Sequence, residues 1–401
     1  TQFTPNEYKP YSQKWEDVDK QLLKPENTQF GEHLSLTNPF RPETKQAYNS
    51  EMNFEEKIIC AFQVLKKKMA WNGRYQLYSK ELEKVIKKGS GSNADLNFIL
   101  ISILKDFGLE AYPVVMSRRS SGMLPYNFPS LQKLNTFFVA IHDINKQKYV
   151  FLDSSMDVPA FNILPLELSV NKARMLSLKE KEEKKWVNVM ALSHNKSFMK
   201  IDARIEGNQV KGHRSTVLYG QEAIEYQANE NHKQDNLVSN PENKVSQKEK
   251  LTVTNLKVKK QENDWALIEE EFDFVLQADR TDDHLYINPM LFPQLKSNPF
   301  IQTERVLPIE FPYPYKFTML STLTLPEGYE VEELPQSQSI RSEGDGLQCK
   351  YMIQQQGNTI LLNYVFHLKG YIFLSEQYKQ LQELWAKVIE KNNALIVLKK
   401  I

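Results

Sequence analysis

Residues 91–108 read GSNADLNFILISILKDFG, and this stretch decides the fold of the first half of the chain. Apolar residues occupy nearly every side of the helix predicted here, and Gly108 ends it. Ser92 stands at the position of an N-cap. A helix that is apolar all round must be buried, so we expect a central helix from about Asn93 to Phe107, with the domain packed around it.

Helices precede this stretch and strands follow it. Asn53 and Glu56 resemble a capping pair at the start of one helix, and a shorter helix follows Ser79. Short β-branched or aromatic runs then predict three strands: 111–116, 137–141 and 149–152. The pattern predicts an α+β domain over residues 51–178, with the central helix packed on an antiparallel sheet.

The flanking segments have a different character. Residues 1–50 predict an extended N-terminal arm with one helix, which Ser12 caps. The charged run 179–185 predicts a linker or a solvated turn, and the polar run 227–250 predicts a long surface loop. Residues 186–401 predict an all-β, sandwich-like domain with an amphipathic C-terminal helix.

The strands predicted in this second domain alternate with turn residues such as Pro, Gly and Asp. Six of them are clear from the pattern: 187–192, 198–205, 251–258, 265–275, 317–325 and 360–366. The C-terminal helix is predicted from Ser375 to about Lys391, and a last strand follows it. At roughly 150 residues per domain, two domains fit the length of the chain.

Composition excludes several classes of function. The 401 residues carry 51 Lys and Arg against 50 Asp and Glu, a formal net charge of +1, so we expect no nucleic-acid partner. Two cysteines are too few for a disulfide scaffold, a Cys₄ zinc site or an iron-sulfur centre. Cys60 is predicted as a buried thiol, and nothing local supports a bridge to Cys349. No run approaches 18 apolar residues, so no membrane span is predicted.

Residues Gly91 to Asp95 resemble the Gly-x-Cys-x-Asp signature that opens the core helix of the transglutaminase-like superfamily, which shares the papain-like cysteine-protease fold. A cysteine at a helix N-terminus has a lowered pKa, because the helix dipole stabilises the thiolate. In this chain Asn93 stands where the resemblance places that cysteine.

Two further segments match in order. The segment Leu134–Ala140 looks like the strand that carries the general-base histidine, with Thr136 at its position. The segment Tyr149–Asp153 looks like the strand that ends in the orienting aspartate, and Asp153 matches it. If the numbers of paired residues in this hairpin sum to 289, Thr136 lies directly opposite Asp153, as a triad requires.

The segment Tyr112–Arg119 resembles a bacterial group of transglutaminase-like proteins of unknown function, and Asn298-Pro299-Phe300 and Pro326–Tyr329 look like the C-terminal sandwich of that group. The resemblance implies a periplasmic or cell-surface location. It also implies an N-terminal β-domain in the full-length protein, which we expect before Thr1. Because the chain begins without an initiator Met, we expect that residues were removed from its front.

With the cysteine and the histidine replaced, the leading hypothesis is a pseudoenzyme, catalytically inactive, that acts as a binding or scaffolding module for a peptide, glycan or protein in the cell envelope. The alternative is a hydrolase of peptides or amides that uses Ser92, or a water oriented by Asp153. A third hypothesis places the function on the sandwich or on the absent N-terminal domain. We expect neither a cofactor nor a metal.

Other side chains have a structural and a functional interpretation. Trp71, Tyr75 and Tyr78 lie where the resemblance places the border of the cleft, and they either line a groove or staple the loop between two helices. We favour the second role. His142 is predicted as a turn residue, and the acidic cluster at 279–284 is predicted as turn residues rather than a metal site.

Overall fold

The computed structural model describes residues 14–26, 29–125, 127–177, 180–235, 245–246, 251–261 and 264–401. The predicted cap Ser12 lies outside these residues. The chain divides into two compact units, the first ending at Leu192 and the second beginning at Ser193. Helices and many strands both contribute, which confirms the mixed α+β class.

Five helices are described in the first unit. They are α1 (Trp15–Leu23), α2 (Arg41–Ala47), α3 (Phe54–Lys68), α4 (Leu82–Lys88) and α5 (Asn93–Asp106). The predicted capping pair is present at α3, where the Asn53 side chain accepts from the Glu56 N–H at 3.0 Å and the Glu56 carboxylate accepts from the Asn53 N–H at 2.8 Å. Helix α5 is buried along almost its whole length, as its apolar sequence predicts.

The first 50 residues form no extended arm where they are described. They carry α2 as well as α1, and Trp15, Leu22 and Phe30 belong to the same hydrophobic core as α5. The Phe30 ring is fully buried, with its centroid 5.2 Å from that of Phe98 in an edge-on contact. Burying large apolar side chains stabilises the fold, and an arm exposed to solvent would leave them unburied. The described part of this segment therefore packs into the core of the first unit.

The main sheet of the first unit is antiparallel and has five strands, in the order β5-β4-β3-β6-β7. Its members are β3 (Glu110–Met116), β4 (Thr136–Asp143), β5 (Lys148–Leu152), β6 (Ala173–Met175) and β7 (Trp186–Val187). Helix α5 packs on β3 and β4, with the rings of Phe98 and Phe137 4.8 Å apart. A short parallel pair, β1 (Ala70–Trp71) with β2 (Ser90–Gly91), holds the chain just before α5.

The hairpin of β4 and β5 differs in register from the prediction. Val139 pairs with Leu152, so the numbers of paired residues sum to 291 and not to 289. The turn is centred one residue later because the Asp143 carboxylate accepts the N–H groups of Asn145 and Lys146.

The corrected register has two consequences for neighbouring residues. Thr136 is not directly opposite Asp153. The sum of the paired residue numbers changes by two, an even number, so both side chains remain on the same face of the sheet. His142, predicted in the turn, lies within β4, where its ring stacks on Tyr149 at 4.8 Å and its Nδ1 is 3.5 Å from Glu110.

The charged segment predicted as a linker belongs to the first unit, and its described part, residues 180–185, packs against the rest of that unit. The Arg174 guanidinium is fully buried, and it bonds to Asp19 at 2.6 and 2.7 Å and to Glu182 at 2.6 and 2.9 Å. Lys185 reaches Asp19 at 3.2 Å. This ion-pair cluster holds the segment in place, because separating it would leave buried charges without partners.

The predicted strand 187–192 is shorter than expected. Strand β7 ends at Val187, and Val189–Ala191 form a 3₁₀ turn.

Fifteen strands are described in the second unit. They are β8 (Asn195–Glu206), β9 (Gln209–Tyr219), β10 (Val245–Ser246), β11 (Leu251–Gln261), β12 (Asp264–Gln277), β13 (Asp279–Arg280), β14 (His284–Ile287), β15 (Ile309–Glu310), β16 (Tyr315–Thr324), β17 (Tyr329–Glu333), β18 (Gln338–Arg341), β19 (Leu347–Gln356), β20 (Thr359–Leu368), β21 (Ile372–Phe373) and β22 (Ile396–Lys400). A nine-stranded sheet has the order β10-β11-β12-β9-β8-β16-β20-β19-β18, and a four-stranded sheet has the order β13-β14-β22-β17. A small pair joins β15 to β21.

One hydrophobic core serves both large sheets and the C-terminal helix α7 (Tyr378–Asn392). Strand β8 alternates strictly between buried and exposed residues, so one of its faces looks into this core. Helix α7 buries Tyr378, Leu381, Trp385 and Val388 along one side, as expected of an amphipathic helix. The C-terminal helix is therefore confirmed.

The polar run 227–250 is not wholly a loop. Helix α6 (Gln221–Asp235) continues into it, and the Gln227 side chain donates to the carbonyl of Trp265 at 2.7 Å. The rest of the run is described only at residues 245–246. In the described part of the chain, no helix is long and apolar enough to span a membrane.

Candidate functional site

The N-terminus of α5 is built by a capping box. The Ser92 hydroxyl donates to Asp95 Oδ2 at 2.7 Å and accepts the Asp95 N–H at 3.3 Å, while the Ser92 N–H donates to the same carboxylate oxygen at 2.8 Å. This geometry confirms the predicted N-cap. Ser92 is 1% exposed, so its hydroxyl is engaged and covered.

Gly91, just before this cap, has no room for a side chain. A Cβ there would lie 2.5 Å from the Val85 side chain and 2.9 Å from Asp95 Cβ. The glycine therefore lets the end of α4 approach the start of α5 closely.

Asn93, the first residue of α5, joins the helix to the sheet through its amide. Its Nδ2 donates to Thr136 Oγ1 at 2.8 Å and to the Phe137 carbonyl at 3.0 Å, and it lies 3.4 Å from Asp153 Oδ2. Its Oδ1 accepts the Gln76 N–H at 2.9 Å. The three positions that the family resemblance singles out, Asn93, Thr136 and Asp153, are thus in contact, and the asparagine amide connects them.

Asn97 lies one turn further along the same face of α5 and repeats the pattern. Its Nδ2 donates to the Phe137 carbonyl at 2.8 Å and to Asp153 Oδ2 at 2.9 Å. Its Oδ1 accepts from the Ser154 N–H at 3.0 Å and from the Ser154 hydroxyl at 2.6 Å. Every hydrogen-bonding group of this amide is used, which is what a buried asparagine requires.

Asp153 contributes the carboxyl group of this network. Burial raises the pKa of its carboxyl, while hydrogen bonds from Ser155, Asn97 and Asn93 act in the opposite direction. Ser155 contributes both its hydroxyl and its N–H, the latter at 2.9 Å. A carboxyl with its oxygens occupied in this way holds the network together and is not free to position a water.

The network is closed to solvent. Asn93 and Thr136 have no exposed surface, and Asp153 is 1% exposed. The segment around Arg74 and Tyr75 covers them, since the Asn93 N–H donates to the Arg74 carbonyl at 3.0 Å and the Tyr75 hydroxyl lies 3.2 Å from Ser155 Oγ. A substrate therefore cannot reach these positions unless this segment moves.

A surface pocket of about 570 Å³ lies beside the covered network. Its lining includes Tyr75, Tyr78, Asp95 and Arg118, but none of the three triad positions. The Arg118 guanidinium lies 6.0 Å from the centre of the Tyr75 ring. The pocket thus offers aromatic surface and charges of both signs, which suit the binding of a ligand. It gives that ligand no access to Asn93, Thr136 or Asp153.

The three aromatic residues singled out by sequence have different places. Tyr75 and Tyr78 line the pocket, whereas Trp71 is not among its lining residues. Trp71 packs on Tyr75 with ring centroids 5.1 Å apart, and its indole donates to the Arg74 carbonyl at 3.0 Å. Burial raises the pKa of the Tyr75 and Tyr78 hydroxyls. Trp71 braces the covering segment, and the two tyrosines face the pocket.

The remaining candidates do not join this site. Cys60 is half-buried rather than buried, with its Sγ 3.6 Å from the Ala47 carbonyl, because α3 presents it toward the edge of the core. Cys349 is buried in β19, and both cysteines are free thiols. His284 pairs with Glu332 at 2.9 Å. Among the described residues, no group of three His, Cys, Asp or Glu side chains is placed to hold a metal ion.

Comparison with known proteins adds two findings. Residues 283–398 match a family described as a "Domain of Unknown Function with solved-structure structure", DUF3858. Among solved structures, the chain is similar to a protein of Parabacteroides distasonis described as "a putative protease", with 12% sequence identity and a TM-score of 0.53. The likeness covers 92% of this chain and 57% of that one, and at this identity it shows the fold alone. No curated protein matches the chain.

Sequence reasoning missed Asn97, Ser154 and Arg118. A signal for Asn97 was present, because it stands four residues after Asn93 on a helix that is otherwise apolar. Two amides on one face of a buried helix need polar partners nearby, and the strand end at Asp153 was the natural place to look for them. Arg118 carries no comparable signal, since its role depends on how Tyr75 folds over it.

Proposed function

We propose that the first unit is a transglutaminase-like domain whose catalytic positions have become a structural hydrogen-bond network. On this proposal the second unit is the sandwich-like partner domain of that group, and the protein is a non-catalytic binding or scaffolding module of the bacterial cell envelope. The observation that carries the proposal is the Asn93 amide, which stands at the nucleophile position and bonds to Thr136 and to the Phe137 carbonyl.

Two further points support this proposal. An antiparallel sheet with a buried helix on one face agrees with a papain-like core. The similar structure from Parabacteroides distasonis is described as "a putative protease", which is compatible with a papain-like fold. The envelope location follows from the family resemblance alone. Since the chain spans 57% of that neighbour, the activity of the neighbour is not carried over.

The pocket beside the network is the proposed binding site. Tyr75 and Tyr78 offer flat surface for a sugar ring or an apolar side chain, and Arg118 and Glu81 offer opposite charges for a peptide. The segment that closes the catalytic positions also forms one wall of the pocket. Closure and binding are therefore consequences of the same local fold.

The alternative is a hydrolase that uses Ser92. The Ser92 hydroxyl donates to Asp95 in a capping box, and Ser92 is 1% exposed. A nucleophilic serine needs both a base within reach and access to substrate. The capping geometry accounts for the same contacts without catalysis, so we favour the inactive module.

The decisive experiment measures turnover. Purified protein is incubated with fluorescein-labelled casein, and separately with casein and the amine donor dansylcadaverine. We expect no cleavage and no amine incorporation above the blank. Activity that disappears in Asp153→Ala would overturn the proposal. Activity that disappears in Ser92→Ala and survives in Asp153→Ala would establish the serine hydrolase instead.

The binding role has a separate test. Soluble tetrapeptides of differing charge and a chitotetraose are titrated against the protein by calorimetry. We expect at least one of these probes to bind, and Arg118→Ala or Tyr78→Ala to weaken it about tenfold. Arg341→Ala, an exposed change in the second unit, is the matched control and should bind as the unaltered protein does. No binding of any probe up to about 10 mM would contradict the assignment of this pocket.

A further inference from the structure

A second cavity, of about 290 Å³, lies wholly within the second unit. Seven of its twelve lining residues are aromatic, although aromatic residues make up 11% of the chain. They come from residues 311–317, from β20 and from α7, and they include Tyr313, Tyr315 and Trp385. The faces of aromatic rings carry negative electrostatic potential, so a cavity with this lining attracts cations.

A carboxyl group completes the lining. Glu222, in the first turn of α6, lines the cavity and interacts with the hydroxyls of Tyr315 and Ser197, whose oxygens are 2.6 Å apart. Burial raises the pKa of Glu222, and the charged side chain that also acts on it is another carboxylate, Glu225. None of the described side chains that influence Glu222 is a lysine or an arginine.

Glu225 is a second carboxyl near the cavity, and burial raises its pKa as well. It lies one turn after Glu222 on α6. Its Oε1 is buried without a hydrogen-bond partner among the described residues. Both Glu222 and Glu225 act on the pKa of Tyr313, which places the two carboxylates near this lining residue. The site therefore combines aromatic surface with acidic groups that no described cation neutralises.

Trp385 supplies a hydrogen-bond donor. Its side chain lines the cavity, Trp385 is 5% exposed, and its Nε1–H is buried without a partner within the described part of the chain. A buried indole N–H usually has an acceptor. A ligand that carries an oxygen acceptor beside its positive charge would satisfy this group.

We propose that this cavity binds a small organic ammonium ion that carries a hydrogen-bond acceptor. The ammonium group lies among the aromatic rings near Glu222, and the acceptor oxygen receives the Trp385 Nε1–H. This site is distinct from the pocket of the first unit. A test of it is therefore independent of the proposed function.

The experiment compares probes of one shape and different charge. Choline and its neutral isostere 3,3-dimethylbutan-1-ol are titrated by calorimetry against the full chain, together with tetramethylammonium, which lacks the hydroxyl. We expect choline to bind at least about tenfold more tightly than the neutral alcohol, and more tightly than tetramethylammonium. Equal affinity for choline and the alcohol, or no choline binding up to about 10 mM, would overturn the proposal.

Two variants test the separate roles of the Glu222 carboxyl and the Trp385 indole. Glu222→Gln should abolish the preference for choline over the neutral alcohol, and Trp385→Phe should abolish the preference for choline over tetramethylammonium. Glu333→Gln, an exposed change on β17, is the control and should preserve both ratios. The comparison of choline with the neutral alcohol uses the unaltered protein. The proposal can therefore be refuted even if a variant fails to fold. A full preference retained in a folded Glu222→Gln variant would refute the role of this carboxyl.

Discussion

Replacing Asn93 by cysteine, the residue that the family resemblance places there, should destabilise the first unit instead of restoring a nucleophile. The substitution removes the donor to Thr136 Oγ1 and the acceptor for the Gln76 N–H, at 2.8 and 2.9 Å. The Phe137 carbonyl also loses a donor but keeps the bond from Asn97 at 2.8 Å. Two polar groups are therefore left without their partners.

Each such loss costs about 1–1.5 kcal/mol, so the free energy of unfolding should fall by about 2–3 kcal/mol. For a unit of this size that corresponds to a decrease in Tm of roughly 6–9 °C. Differential scanning calorimetry measures the shift. Asn145→Cys, in the exposed hairpin turn, introduces the same thiol and should change the stability by less than about 0.5 kcal/mol.

Two results would refute this reasoning. If Asn93→Cys melts within about 1 °C of the unaltered protein, the amide does not hold the helix to the sheet. If the variant cleaves or cross-links casein, the covering segment at Arg74 and Tyr75 does not close the site.

Three further perturbations test other parts of the structure. Arg174→Ala should lower the free energy of unfolding by about 3–5 kcal/mol in urea titrations, because the buried Asp19 carboxylate loses both bonds to the guanidinium and is left with Lys185 at 3.2 Å. Arg41→Ala removes a pair that is 59% exposed on the arginine side and should cost under about 1 kcal/mol; equal losses would contradict the role given to burial. Gly91→Ala should cost about 1–3 kcal/mol in the same titration, since its Cβ would lie 2.5 Å from a valine side chain, and an unchanged midpoint would count against that contact. At pH 8, Ellman's reagent should label Cys60 well before Cys349, because burial raises the pKa of Cys349 to about 11 and keeps it as the unreactive thiol; simultaneous labelling would contradict the structure.

Local chemistry made α3 and α5 of the first unit predictable, whereas α2 was not predicted. The capping pair at Asn53 and the N-cap at Ser92 are short-range signals, and the structure contains both. The apolar run after Asn93 carries enough hydrophobic surface to require burial wherever the chain goes. Such features depend on neighbours within four residues, and sequence describes those neighbours directly.

Features that depend on distant partners were predicted less well. Helix α6 is polar, with little apolar periodicity, and it is held by contacts such as Gln227 to the Trp265 carbonyl, 38 residues away. The charged segment before Trp186 looks solvated in sequence, but Arg174 and Asp19 bind its side chains. Tertiary partners override local propensity in both cases.

The candidate site was predictable from the sequence only in part. Its three positions follow from the order of motifs, but the closure over Asn93 does not, because it depends on the path of the segment around Tyr75. The hairpin register illustrates the same limit. It is set by the Asp143 side chain bonding to its own turn, which moves every pair by one step along each strand.

We propose that Asn93, Thr136 and Asp153 stabilise the fold of the first unit by bonding to one another. A double-mutant cycle between Asn93→Ala and Thr136→Val tests it most directly, with the free energy of unfolding measured for both single variants and the double variant. We expect a coupling energy of about 1 kcal/mol, since either change alone breaks the bond at 2.8 Å. A coupling energy of zero would contradict it.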